Sequence, residues 1–183
     1  MSIFKTFKTI FAKSGEPRVE EQEAALDNPG RIGDRRSRKR RDAREGTRAL
    51  IIDDSPTIVA ALKRFLRSAG YITLEAGDAE KGIEIARTEN PELIFLDIVL
   101  PGMNGFAALR MLRRDPATKD VPIIMISGNE QATEQFFGTR IGADDFMKKP
   151  FSRFEVFARI ERLLDADLVP RRTAASTNQP KPV

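Results

Sequence analysis

Four residue clusters end short apolar runs and carry groups able to do chemistry. Asp53 and Asp54 follow RALII, Asp97 closes ELIFL, Ser127 closes VPIIMI, and Lys149 follows DDFMK. Three carboxylates, a hydroxyl and an ammonium suit one type of reaction if they converge. Three ionised acids cannot sit together uncompensated, because like charges raise each other's pKa. A hard divalent cation resolves the conflict, and Mg²⁺ prefers carboxylate oxygens and commonly accompanies phosphate. The lysine is then left to neutralise a phosphoryl group and the hydroxyl to bond one of its oxygens. A carboxylate in such company can attack phosphorus and form an aspartyl-phosphate.

Each cluster also has a plainer reading on its own. Asp53 and Asp54 fit turn residues capping a following helix, Asp97 fits a turn before Pro101-Gly102, and Ser127-Gly128 fits a loop start. Convergence therefore depends on the elements between them. RALIID (48–53) reads as a buried strand, and Ser55-Pro56 as the cap and first turn of a helix. That helix carries Ile58, Val59, Leu62, Phe65 and Leu66 on one face and stops at Gly70. YITLE (71–75), ELIFLD (92–97), VPIIMIS (121–127) and DDFMK (144–148) read as four more strands. Helices follow each of them: from Asp78 to about 88, around Phe106–Leu112, over roughly 131–139, and after a Ser152/Glu155 capping box.

Strands that are apolar throughout belong in a parallel sheet covered on both faces. The expected fold is α/β, doubly wound, with five parallel strands in the flavodoxin-like order 2-1-3-4-5. In such sheets the site lies beyond the carboxyl ends of the strands. Strands 1, 3, 4 and 5 are neighbours in that order, which brings the four clusters to one crevice.

Over residues 48–164 the chain resembles the receiver domains of two-component response regulators. The resemblance rests on IIDDS, LDIVLPGMNG, IMISG and GADDFMKKPF, in that order and at fitting separations. It implies that Asp97 accepts the phosphoryl group. It implies that Asp54, Asp97 and the backbone carbonyl of Val99 bind Mg²⁺ directly, with Asp53 acting through water. Ser127 and Lys149 would hold phosphoryl oxygens, and Phe146 sits at the family's aromatic switch position, expected to move inward on phosphorylation. Tyrosine is frequent there, and phenylalanine lacks its hydroxyl. The fold also implies a cis Lys149–Pro150 peptide. The overall look is most similar to single-receiver regulators of twitching-motility and chemotaxis-type pathways. The implied partners are a histidine kinase or phosphotransfer protein and a downstream protein target. Beyond its own phosphotransfer and dephosphorylation no enzymatic turnover is expected.

The composition narrows the rest. Histidine and cysteine are both absent, which removes a histidine base, a thiolate nucleophile and a cysteine zinc site. No apolar run nears the ~18 residues of a membrane span, and Lys5, Lys8 and Lys13 interrupt any signal-peptide core, so a cytoplasmic protein is expected. Residues 1–47 carry 12 basic and 8 acidic side chains, whereas 48–164 carry 16 and 17. The central domain thus has no bulk field for nucleic acid, which is not expected as a partner.

Residues 14–47 read as a disordered basic linker and 165–183 as a disordered tail, both too poor in apolar area to offset ordering entropy. RRSRKRRDAR (35–44) reads as solvated linker, with phosphate contacts to nucleic acid as the alternative. Ile3, Phe4, Phe7, Ile10 and Phe11 recur at helical spacing within 1–13. That segment reads as an amphipathic helix docking on a membrane surface or partner through residues 3–11, as a frayed tail, or as a helix packed against its own receiver. With the flanks this polar, no output domain is expected, and signalling would pass by docking of the switched face.

Overall fold

The computed structural model describes residues 40–138 and 142–172. The segment 1–13, residues 14–39 of the linker and residues 173–183 of the tail lie outside the described residues. Strands and helices alternate: β1 (Arg48–Ile52), α1 (Pro56–Arg67), β2 (Ile72–Ala76), α2 (Ala79–Glu89), β3 (Leu93–Asp97), α3 (Gly105–Arg114), β4 (Ile123–Ser127), α4 (Glu130–Gly138), β5 (Asp145–Lys148) and α5 (Arg153–Leu163). The five strands form one sheet in the order β2-β1-β3-β4-β5. All four pairings are parallel.

Alternation along each strand divides the core in two. Leu50, Ile52, Ile94, Leu96, Ile123 and Met125 face one side, with Ile83 and Ala86 of α2 and Phe106, Leu109 and Leu112 of α3. Ala49, Ile51, Leu93, Phe95, Ile124 and Ile126 face the other, with Leu62 and Leu66 of α1 and Phe157 and Ile160 of α5. The strands β1, β3 and β4 therefore need apolar residues on both faces between their ends, because each face has its own helical cover.

Local chemistry sets the helix ends. The side chains of Asp78 and Asn104 accept the backbone N–H of Lys81 and Ala107 at the starts of α2 and α3. Gly70, at φ +82°, takes the left-handed turn after α1. Two expectations are corrected. Ser55 occupies the N-cap of α1 but makes no side-chain cap bond; Asp53 Oδ1 instead accepts the Ser55 N–H at 2.9 Å. Only half of the capping box forms, with Ser152 Oγ accepting the Glu155 N–H at 3.1 Å. The Glu155 carboxylate turns to Arg159, one turn on, at 3.4 Å.

The domain also extends beyond both expected boundaries. Residues 40–47, placed in the linker, pack on the α1–α5 side. The Arg40 guanidinium lies 3.9 Å from the Phe157 ring centroid, the Ala43 N–H donates to Tyr71 Oη at 3.3 Å, and Arg44 pairs with Glu92. Half of the basic run 35–44 is thereby bound to its own domain. Residues 165–172, placed in the tail, form a strap. Leu164 bridges Pro170, the Arg171 N–H donates to the Leu163 carbonyl at 2.7 Å, and Val169 is buried. The two extensions meet where the Arg44 N–H donates to the Leu168 carbonyl at 3.1 Å.

Candidate functional site

The carboxyl ends of β1 and β3 lie side by side, since Ile52 pairs with Leu96. Asp53 and Asp97 therefore emerge from neighbouring strands at one level, with Asp54 one residue beyond. β4 and β5 continue the edge, with Asp97 opposite Ile126 and Ser127 opposite Lys148. Strand register thus brings these four strand ends to one edge of the sheet.

Lys149 Nζ lies 2.8 Å from Asp53 Oδ2 and 2.8 Å from Asp97 Oδ2. It donates a hydrogen bond to Asp97 Oδ2. Asp53 Oδ2, just as close, is ion-paired with the same ammonium. Asp97 Oδ1 accepts the Val99 N–H at 3.2 Å. Asp53 and Asp97 are buried, whereas Asp54 is exposed.

These groups perturb one another. Burial pushes the Asp97 carboxyl above its ordinary range; Lys149 opposes that, and the Asp53 charge adds to it. Burial works against the Lys149 ammonium, but the two carboxylates outweigh it and hold the lysine above its ordinary value. Three acids against one lysine leave the crevice short of positive charge.

The site fits a divalent cation on its own geometry. Asp53, Asp54 and Asp97 each offer a carboxylate oxygen, all within 4.8 Å of one another. An all-oxygen set of carboxylates, short of positive charge, is what a hard cation takes.

The other expected residues are placed less directly. Ser127 is fully buried, and its hydroxyl accepts the Asn129 N–H at 3.1 Å and donates to the Asn129 carbonyl at 3.3 Å. It sits at the end of β4 but turns into its own loop rather than onto the acids. Val99 follows Asp97 by two residues and is 52% exposed. Phe146 already lies inward, buried and stacked on Phe136 of α4 at 4.8 Å between ring centroids. The expected inward movement therefore starts from an inward ring. Lys149–Pro150 is cis.

One residue within the LDIVLPGMNG segment was given no role and has one. A Cβ on Gly105 would stand 2.0 Å from the Asp97 carbonyl oxygen. Only glycine lets α3 start this close behind the Asp97 backbone. A glycine at a helix start eight residues after a candidate nucleophile was the available signal.

Residues 49–161 match the family model for the response regulator receiver domain. Protein PilH from Pseudomonas aeruginosa is 38% identical over 117 residues, which cover 64% of this chain and 97% of PilH. The DNA-binding dual master transcriptional regulator RpaA from Synechocystis is 41% identical over 117 residues, but these cover 48% of RpaA. The chain thus spans nearly all of one curated relative and about half of another. Among solved structures, the Vibrio cholerae chemotaxis protein CheY4 superposes with a TM-score of 0.60 at 26% identity, over 65% of this chain and 99% of that one. The receiver domain of the sensor histidine kinase PA1611 from Pseudomonas aeruginosa gives a TM-score of 0.58 at 28% identity, over 64% and 95% of the two chains. That structure has a magnesium ion coordinated in its active site cleft.

Proposed function

This chain belongs to the response regulator receiver domain family, and from that premise we propose that its acidic edge is a phosphorylation switch with Asp97 as the phosphoacceptor. The observation that carries the reading is the Lys149 ammonium held 2.8 Å from both Asp53 and Asp97 beside a third carboxylate. Asp97 ends the central strand β3, between the other acids and the ends of β4 and β5.

In the proposed reaction an Asp97 carboxylate oxygen forms a bond to phosphorus. The P–N bond of a phosphohistidine donor breaks, and the imidazole leaves with the bonding pair. Asp54, Asp97 and the Val99 carbonyl would hold Mg²⁺, with Asp53 acting through water. The ion supplies positive charge for the acids and the transferring phosphoryl oxygens. Lys149 exchanges a carboxylate partner for a phosphoryl oxygen, which brings its charge to the product. Ser127 leaves its Asn129 turn to donate to another phosphoryl oxygen, shifting the loop ahead of α4. Phe146, packed between β5 and α4, registers that shift.

The phosphoryl donor is a histidine kinase or phosphotransfer protein. An open groove of about 620 Å³ between α1 and β2 runs from Asp53 and Asp54 past Val59 and Ala60 to Arg64 and Arg67, beside the site. The output in this reading is docking of the switched α4–β5–α5 face onto a partner protein in the cytoplasm. Residues 3–11 are proposed as a separate attachment to a partner or anionic membrane.

Lys149→Ala tests the coupling. The variant should still label with acetyl phosphate and Mg²⁺, though more slowly. It should lose the phosphorylation-induced NMR shifts in α4 and β5. A wild-type response in the variant would contradict the role given to Lys149.

A further inference from the structure

At the edge of the sheet opposite the acids, two guanidiniums share one set of acceptors. Arg113, from α3, donates to the Val121 carbonyl at 2.7 Å, Asp144 Oδ2 at 2.7 Å, the Gly142 carbonyl at 2.8 Å and the Lys119 carbonyl at 3.2 Å. Arg172, from the strap, donates to the Lys119 carbonyl at 3.1 Å, Asp144 Oδ1 at 3.3 Å and the Gly142 carbonyl at 3.4 Å. The Asp144 side chain is fully buried, and Oδ2 also accepts the Ile123 N–H at 2.8 Å.

Arg113 is the tighter partner and Arg172 the looser. Burial lowers the Arg113 guanidinium to about 10; Asp144 opposes that shift, and the Arg172 charge reinforces it. The second arginine thus adds like charge where the first already pairs the acid. Arg172 also lies beyond residues 49–161, outside the segment that matches the family model.

What the strap grips is informative. Residues 142–144 lead directly into β5, a strand of four residues, and Lys149 stands at its far end. Asp144 also bonds the first residue of β4, whose far end is Ser127. The strap therefore holds one end of a short two-strand unit. The other end carries the two groups assigned to grip the phosphoryl oxygens. A displacement at 142–144 breaks the longer Arg172 contacts before the shorter Arg113 ones.

We propose that residues 165–172 are a releasable latch on the start of β5, loosened when Asp97 is phosphorylated. This rests on the reading of Asp97 as phosphoacceptor. Coupling of this kind is reciprocal: if phosphorylation weakens the strap, loss of the strap must favour the phosphorylated form by the same factor.

The test uses the full chain with Mg²⁺ and beryllofluoride as a phosphoryl mimic. Saturation with the mimic should speed amide exchange at Val169 and Arg171 about fivefold or more. Arg172→Ala should bind the mimic tighter by a similar factor. Unchanged or slower exchange, with unchanged affinity in the variant, would overturn the latch alone. No binding of the mimic by wild type would overturn the assignment of Asp97 and the latch with it.

Discussion

Both edges of the sheet bury carboxylates against cations, with opposite charge balance. At the carboxyl edge, Asp53, Asp54 and Asp97 face one lysine, which is ion-paired with both Asp53 and Asp97. At the amino edge, Asp144 faces two arginines and a backbone N–H. The first arrangement has excess acid, which suits the cation proposed for it. The second is held within the chain, with Arg172 the cation that the proposed latch would release. On the proposed function, similar side chains serve as a reaction site in one place and as structure in the other, and charge balance separates them.

The largest expected effect separates the two edges by stability. Asp144→Ala leaves buried guanidiniums without their acid and should cost ~3–5 kcal/mol in urea unfolding. Asp54→Ala, at an exposed acid, should change metal-free stability by no more than ~0.5 kcal/mol. Equal losses would remove the distinction.

The next effect runs the other way. Mg²⁺ binds only the folded site, so at 100 times its dissociation constant it should add about 2.7 kcal/mol to wild type. Asp54→Ala should lose most of that gain. An equal rise in Tm for the variant would place the ion elsewhere.

The smallest effect concerns the strap. Asp165 accepts the Val169 N–H, and that bond, followed by Arg171, holds its carboxyl below the ordinary 3.8. A depressed folded value means the carboxylate stabilises above 3.8 and that this is lost as pH falls through the folded value. Asp165→Asn should therefore speed Val169 amide exchange near neutral pH. The difference from wild type should shrink as pH falls below 3.8. A difference independent of pH would deny the carboxylate charge a role in holding the strap.

The strands that build the site were legible because both faces of the sheet are covered. RALII, LIFLD and IIMIS are apolar at nearly every position, and each ends at, or one residue before, a residue that can do chemistry. Asp53, Asp97 and Lys149 could be brought together from strand order alone. The strap could not be read. Its packing rests on Val169 and on arginine contacts that reach from 172 to 119, 142 and 144, which leave no local periodicity. The same holds for residues 40–47, where Arg40 and Ala43 find α5 and Tyr71 across the fold. The inward setting of Phe146 likewise depends on Phe136, a partner ten residues away on another element.

The central claim is that Asp97 alone accepts the phosphoryl group. Full-length protein is incubated with acetyl phosphate and Mg²⁺, and its intact mass is measured beside Asp97→Asn. Wild type should gain one phosphoryl group, stable to acid and lost in base, and Asp97→Asn should gain none. A persistent adduct in Asp97→Asn would contradict the account.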